Sequence, residues 1–198
     1  MKKLLLLLSL IAVISCKNEE PAVDDSYNAV MLAQKIASGT SWEQEFTEDE
    51  ILTETRFVRE YNGTRMIKTI YPDTSNELFV VYLDSIPQEL YWHQTGEWTT
   101  PYGTVGQPIA ALEQANGASI EFYGLGYDVP GKVEINKGKL ANLDIKFQVR
   151  PTSDTIPSEF YSYNKFDSTV PEADALDLYL SRITIPVSKD ATLTVSEE

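Results

Sequence analysis

The sequence predicts an α+β fold in which antiparallel β-meander sheets carry a few short helices packed on one face. One observation is a series of short runs rich in β-branched and aromatic residues, separated by turn-forming dipeptides. A second is the aromatic content, since 11 tyrosines, 7 phenylalanines and 3 tryptophans favour strands and cross-strand packing. A third is that only a few stretches space their apolar residues as a helix does.

The first predicted element is a helix over residues 27–38. Its apolar residues recur at roughly helical spacing. Asp25 or Ser26 is placed to cap its start, and Gly39 is placed to end it. The pattern therefore indicates a short amphipathic helix.

The next part of the chain predicts a β-meander. Residues 42–55 are too acidic for a core element, so we expect only a helical turn near Thr47. Strands are then predicted at 56–60, 65–71 and 78–83, with a fourth starting at Leu90. Asn62-Gly63 lies between the first two and is a strong signal for a tight turn. Hairpin connections are therefore the simplest arrangement.

In the second half of the chain, the sequence predicts a second group of antiparallel strands between two helices. The first helix has Pro108 just inside its start and Gly117 just past its end. Strands are predicted at 120–123, 132–135 and 140–149, a helix at 171–181 and a closing strand at 183–187. Pro186 places that last strand at a sheet edge, because proline cannot donate to the ladder.

Residues 1–15 have the pattern of a cleaved signal peptide. Two lysines precede an apolar run that is shorter than the roughly 20 residues needed to cross a bilayer as a helix. The run leads into Cys16, the only cysteine of the chain. Residues 16–26 are then an acidic tether, and residues 27–198 a single domain, with a subdivision near residue 100 as the alternative.

Val13-Ile14-Ser15-Cys16 resembles the lipobox of bacterial lipoproteins. The resemblance implies cleavage before Cys16, a diacylglyceryl group and further acyl chains such as palmitate on that residue, and attachment of the protein to a membrane. Two or more acyl chains give durable attachment, because each buried CH₂ contributes about 0.8 kcal/mol. The lipidated sulfur is then lost to disulfides, thiolate metal sites and nucleophilic catalysis.

Two further segments resemble the envelope lipoproteins of Bacteroidetes-type bacteria. Lys17-Asn18-Glu19-Glu20 resembles their surface-export signal, which implies an outer-membrane protein displayed on the cell surface. The alternative is an ordinary solvated tether on a protein that faces the periplasm. Residues 104–117, followed by the glycine- and aromatic-rich 122–128, resemble a pattern in uncharacterised members of this group.

Three tripeptides resemble the acceptor motif for extracytoplasmic O-glycosylation in the same bacteria. They are Asp84-Ser85-Ile86, Asp154-Thr155-Ile156 and Asp167-Ser168-Thr169. Each places a hydroxyl residue directly after an aspartate. The resemblance implies sugar on Ser85, Thr155 and Ser168.

The charge of the chain disfavours nucleic acid as a partner. The formal net charge is −14, and loss of Lys2 and Lys3 with the signal peptide makes it −16. A body this acidic repels a phosphate backbone, and it lacks the basic clusters of modules that bind anionic lipid. We therefore expect contact with the membrane only through the N-terminal lipid.

No catalytic, metal or cofactor motif is recognisable. His93 is the only histidine, there is no Gly-x-Ser-x-Gly elbow, and no Asp-x-Asp-x-Asp-Gly calcium loop occurs. A zinc site would lack a second imidazole and any thiolate. We expect no enzyme activity, no cofactor and no metal, with a hydrolase that uses a pair of carboxylates as the alternative.

Aromatic residues next to glycines are the predicted binding surface. Trp92, Trp98 and Tyr102 cluster in the sequence, and Tyr127 and Asp128 lie in the glycine-rich segment 124–131. Exposed rings of this kind stack on sugars or anchor a protein partner, whereas core packing is the alternative. The expected function is a non-enzymatic, lipid-anchored module for a protein or glycan, or else a periplasm-facing assembly factor. The oligomeric state stays open.

Overall fold

A computed structural model describes residues 25–126 and 130–195 of the chain. The predicted signal peptide and Cys16 lie outside the described residues. The strands are β1 (Ile51–Val58), β2 (Gly63–Ile70), β3 (Leu78–Leu83), β4 (Ile86–Trp92), β5 (Glu121–Tyr123), β6 (Val133–Glu134), β7 (Lys146–Pro151), β8 (Lys165–Asp167) and β9 (Leu178–Pro186). The helices are α1 (Ala29–Ala37), α2 (Ile109–Asn116) and α3 (Pro171–Asp174), with 3₁₀ turns at Trp42–Glu45, Glu48–Glu50, Arg59–Tyr61 and Ser158–Phe160.

The strands form a large and a small antiparallel sheet. The large sheet has six strands in the order β1-β2-β3-β4-β9-β7, and the small one has three in the order β6-β5-β8. Neighbouring strands in both sheets run antiparallel. The predicted class, α+β with mostly antiparallel sheet, is therefore confirmed.

Short connections join β1 to β4 into the predicted meander. Asn62 adopts a left-handed conformation with φ of 44°, but Gly63 is already the first residue of β2 and pairs with Val58, so the turn is the four-residue loop 59–62 and not the predicted Asn62-Gly63 turn. Asp84 and Ser85 also have positive φ, 49° and 69°, and they form a two-residue turn that places Leu83 opposite Ile86. Strand β4 therefore begins at Ile86, four residues before the predicted start at Leu90.

The prediction of only a helical turn in residues 42–55 was incomplete, because strand β1 begins within this range. The two 3₁₀ turns lie there, but the strand already begins at Ile51 among the acidic residues. Because β1 is an edge strand, most of its side chains stay exposed or half-buried, and polar residues are tolerated. Acidic composition therefore excluded a core element but did not exclude a sheet edge.

The C-terminal prediction was right about a helix that begins at Pro171 and a strand at 183–186, and wrong about the length of the helix and the place of the strand in the sheet. The helix α3 covers only Pro171–Asp174, and Asp177, with φ of 47°, breaks the chain direction after it. Strand β9 begins at Leu178 and lies between β4 and β7, so it is not an edge strand. Pro186 is tolerated because it is the last residue of the strand, opposite Glu89.

The main hydrophobic core lies against one face of the large sheet, which we call the core face. Buried residues of this face, among them Leu78, Val80, Leu90 and Leu180, belong to one cluster with Leu112 of α2 and Phe122 of β5. Helix α1 contributes its buried residues to the same cluster and contacts β4 and β9. Within the described residues, no helix has the length and apolar character needed to span a bilayer.

Candidate functional site

Two residues of the predicted aromatic surface are buried in the core. Trp92 and Trp98 are each only 1% exposed, and both belong to the main cluster. The indole nitrogen of Trp98 donates a 2.7 Å hydrogen bond to the carbonyl oxygen of Asn76. Neither ring face is accessible to a ligand, so the core-packing alternative describes both tryptophans. Large aromatic rings contribute most where they are fully buried.

The other members of that surface lie elsewhere. Tyr102 is half-buried, and its hydroxyl accepts a 2.8 Å hydrogen bond from the Val195 amide and donates a 3.4 Å one to the carbonyl of Leu193. It therefore fastens the C-terminal segment to the domain. Tyr127 and Asp128 lie outside the described residues.

Arginines gather instead on the opposite face of the large sheet, which we call the arginine face. Successive side chains of a strand point to opposite faces, so strand register assigns each residue to a face. By this rule Arg56, Arg65, Arg150 and Arg182, four of the five arginines in the chain, lie opposite the core face. The fifth, Arg59, lies in the turn after β1.

Aromatic rings support three of these arginines. The guanidinium carbon of Arg182 is 3.8 Å from the ring centroid of Tyr91, and that of Arg56 is 5.2 Å from the centroid of Phe79. Arg65 lies over Tyr61 at 5.2 Å. A cation above a ring face is attracted by the ring quadrupole, so these contacts hold the long side chains in place.

The rings themselves are stacked across β3 and β4. Phe79 stacks on Tyr91 with ring centroids 4.9 Å apart, and on the imidazole of His93 with centroids 5.5 Å apart. The rings of Phe79 and His93 are nearly parallel, with 4° between their planes. Phe79 also forms a small apolar cluster with Val58 and Ile67. The arginine face therefore has a packed apolar layer beneath its charges.

The environment keeps His93 uncharged near neutral pH. Partial burial lowers its pKa, and the neighbouring cations of Arg182, Arg150 and Arg56 lower it further, while Glu77 opposes them. The imidazole is therefore a neutral hydrogen-bonding group at pH 7. Positive charge on this part of the face comes from the arginines.

Two ionisable groups beside the arginine face, the Glu60 carboxyl and the Tyr61 hydroxyl, have shifted pKa values. Burial raises the pKa of Glu60, but backbone hydrogen bonding and Arg182 outweigh it, so the pKa lies below its ordinary value. Its carboxylate contacts Arg182 at 2.6 Å. Burial and the nearby Glu89 raise the pKa of the Tyr61 hydroxyl to about 12, so it stays protonated.

A polar cavity of about 270 Å³ opens on the arginine face beyond the end of β4. Its lining residues are His93, Gln94, Thr95, Val105, Gln148, Arg150, Tyr179, Ser181 and Arg182. A β-bulge builds one wall, because Arg182 pairs with Gln148 and Leu180 with Val149, which leaves Ser181 as the extra residue. Amide, hydroxyl, imidazole and guanidinium groups thus converge on one small space.

A second cavity adjoins the first. It has a volume of about 340 Å³, and Arg150 and Tyr179 line both cavities. Its remaining wall includes Leu125 and Pro130, which flank residues 127–129 that the structure does not describe. The shared pair therefore forms the boundary between two spaces along the sheet edge.

The three glycosylation-like tripeptides differ in accessibility. Ser85 and Thr155 are exposed, whereas Ser168 is buried. The Ser168 hydroxyl lies within hydrogen-bonding distance of both the Glu113 carboxylate and the Ile120 carbonyl oxygen, the latter at 2.9 Å, and its one hydrogen is donated to one of these two acceptors at a time. The folded domain therefore presents only the first two hydroxyls to a modifying enzyme.

Metal chemistry has no cluster to support it in the described part of the chain. No group of three or more His, Cys, Asp or Glu residues there lies close enough to hold a metal ion. The amide, hydroxyl, imidazole and guanidinium groups that line the cavity can form hydrogen bonds.

Sequence reasoning missed the arginine face. Arg56 lies six residues before Asn62 and Arg65 two residues after Gly63, so a two-residue Asn62-Gly63 turn would not place them opposite each other. They are opposite in the structure because the loop of the hairpin is 59–62, with Val58 paired to Gly63. The neighbourhood of Arg150 and Arg182 depends on the pairing of β7 with β9, which no local signal indicated.

Comparisons with known proteins do not identify a family. No protein-family model matches the chain. The search of curated proteins finds no significant match, and neither does the search of solved structures.

Proposed function

We propose that this protein is a non-enzymatic binding module, anchored to the outer membrane through lipid on Cys16, and that it binds a glycan in the polar cavity of the arginine face. The observation that carries the proposal is the cavity itself. Its wall combines Gln94, Gln148, Thr95 and Ser181 with two arginines. A few convergent polar groups in a concave site are what orient a small ligand.

A glycan fits this cavity better than a protein surface does. Amide and hydroxyl side chains both donate and accept hydrogen bonds, as sugar hydroxyls require. Protein interfaces instead rely on accessible aromatic anchors. The two tryptophans that would serve as such anchors, Trp92 and Trp98, are buried.

The composition of the wall supports binding more than turnover. Among the described residues that line the cavity there is neither aspartate nor glutamate. Glycoside hydrolysis needs two carboxyl groups about 5 to 9 Å apart across the scissile bond. The hydrolase alternative therefore receives no support at this site.

The proposal includes a single domain with its helices on the core face. Residues from both sides of position 100, such as Trp98 and Leu112, belong to one cluster. The buried residues of α1 and α2 belong to it as well, which supports their packing on the side away from the arginine face. The cavity then stays open to ligand.

The binding proposal is tested with the full chain that carries Cys16→Ala, which removes the lipid acceptor. Gln148→Ala should weaken glycan binding about threefold to tenfold, the range for one neutral hydrogen bond, in titration calorimetry after an array screen. Gln44→Ala is the matched control, because Gln44 is exposed in the Trp42–Glu45 turn. Failure to bind any glycan on the array, or equal binding by both variants, would overturn the proposal.

Location is tested in cells with the same Cys16→Ala change. We expect the unsubstituted protein in the membrane fraction and the variant outside it. Protease digestion on intact cells supports surface display. Protection until lysis supports the alternative of a periplasm-facing assembly factor.

A further inference from the structure

We infer that the ligand of the polar cavity is an acidic sugar whose carboxylate is bound by Arg150. The inference rests on the proposed glycan-binding function and adds the chemical class of the glycan. It is carried by the charge distribution on the arginine face and by the absence of a partner for one arginine among the described residues.

The strand residues of the arginine face have a net positive charge, whereas the chain as a whole has a net negative charge. Strand residues assigned to it by register include the cations Arg56, Arg65, Arg150, Arg182 and Lys146 and the anions Glu54 and Glu89. Five positive and two negative charges give a strand contribution of +3. The whole chain carries −14. Such a local field attracts anions to a surface from which the remaining protein repels them.

Three of the four arginines on this face already have partners. Arg182 binds Glu60 and lies on Tyr91. Arg56 forms a salt bridge with Glu54. Arg65 donates a 2.8 Å hydrogen bond to the carbonyl of Thr64.

Arg150 is different. It is exposed, and it makes no salt bridge or side-chain hydrogen bond with any residue that the structure describes. It nevertheless lines both cavities, beside Arg182 and His93 in the first. Because Arg182 is already paired with Glu60, Arg150 is the guanidinium at this cavity that forms no ion pair with a described residue. A ligand anion can supply that partner.

The geometry of a guanidinium favours a carboxylate for that charge. Arginine presents a planar fork of donors that binds a planar carboxylate with two parallel hydrogen bonds. One uncompensated arginine balances one negative charge, as a uronic or sialic acid provides. The neighbouring Gln148, Gln94 and Ser181 are placed to bind the hydroxyls of the same sugar.

The experiment compares acidic glycans with their neutral counterparts. The probes are oligogalacturonate, hyaluronan oligosaccharide and sialyllactose, each beside a carboxyl-reduced form, titrated against the full chain with Cys16→Ala. We expect at least one acidic form to bind, and reduction or Arg150→Gln to weaken it about tenfold to a hundredfold, the range for a charged hydrogen-bonded pair. Arg59→Gln is the matched control, since it removes the same charge from a residue that does not line the cavity.

The outcomes separate this inference from the proposed function. Binding of neutral glycans alone, or equal binding of acidic and reduced forms, overturns the carboxylate inference and leaves glycan binding standing. Equal loss in Arg59→Gln and Arg150→Gln also overturns it, because general charge would then explain binding. Lack of any glycan binding overturns both. An unchanged melting temperature for Arg150→Gln shows that loss of affinity is not loss of fold.

Discussion

The two faces of the large sheet are built by alternate residues of the same strands, yet their chemistry differs. On the core face, Leu78, Val80 and Leu90 are fully buried in the main cluster. On the arginine face, charged side chains lie above a thin apolar layer formed by Val58, Ile67 and Phe79. The comparison indicates that the core face supplies most of the stability, and it is the arginine face for which we propose binding.

The arginine face is nevertheless not a merely solvated surface. Phe79 is 2% exposed, and the guanidinium of Arg56 and the stacked rings of Tyr91 and His93 lie against it. A guanidinium above a ring face is attracted by the ring quadrupole. The charges are therefore held in fixed positions, which lowers the entropic cost of binding a ligand.

The largest expected effect contrasts one leucine from each face. Leu90 is 0% exposed on the core face, and Leu52 is 45% exposed on the arginine face. Leu90→Ala should lower the free energy of unfolding by about 2–5 kcal/mol, since it leaves a cavity in the core. Leu52→Ala should cost less than about 1 kcal/mol. Urea unfolding measures both, and similar losses would contradict the division of roles.

A smaller effect tests whether the arginine face is preorganised. A double-mutant cycle with Tyr91→Leu and Arg182→Gln isolates their direct contact, because the effect of Glu60 on Arg182 cancels. The 3.8 Å approach of the guanidinium to the ring predicts a coupling energy of about 0.5–2 kcal/mol. The same urea titrations provide it. A coupling energy of zero would show that Tyr91 does not hold Arg182 in place and that the arginine face is not preorganised by this contact.

The smallest expected effect is a pH dependence specific to the arginine face. The folded-state pKa of His93 lies below its ordinary value, because of partial burial and the nearby cations. The unfolded chain therefore binds this proton first as pH falls, so the contribution of His93 to stability is lost below about pH 6.5. The melting temperature should fall more between pH 7 and pH 5 in the parent chain than in His93→Gln.

Other groups titrate over the same range in both proteins, so the difference between the two curves is the measurement. Parallel curves would mean that His93 does not experience the cations of Arg150 and Arg182. A bound carboxylate should reduce the difference, because it favours protonated His93.

The parts of the fold that depend on local chemistry were predictable. Strand β3 has the predicted bounds, and α2 has Pro108 before its first residue and Gly117 after its last, in the left-handed conformation. Turn dipeptides and helix ends act through the backbone of a few neighbouring residues, so they are readable without partners. The start of β1 was missed because edge exposure, a property of the whole sheet, made its acidic residues acceptable.

Residues 176–181 show the limit of local reading. Leu176, Leu178 and Leu180 alternate with polar residues, which is a strand pattern, although helix spacing also accommodates them. The structure resolves the ambiguity because β9 fits between β4 and β7, where both edges of the strand find hydrogen-bond partners. A helix of four residues, α3, is all that remains of the predicted one.

The sequence by itself determined the antiparallel class and the order of the first four strands as a meander. Only the tertiary structure decided that the pairing of β9 with β4 and β7 brings Arg182 and Arg150 beside His93. It also decided that Trp92 and Trp98 are buried. The physical reason is that strand propensity and turn signals act within a few neighbouring residues, whereas the pairing of distant strands depends on the total burial and hydrogen bonding of the folded chain.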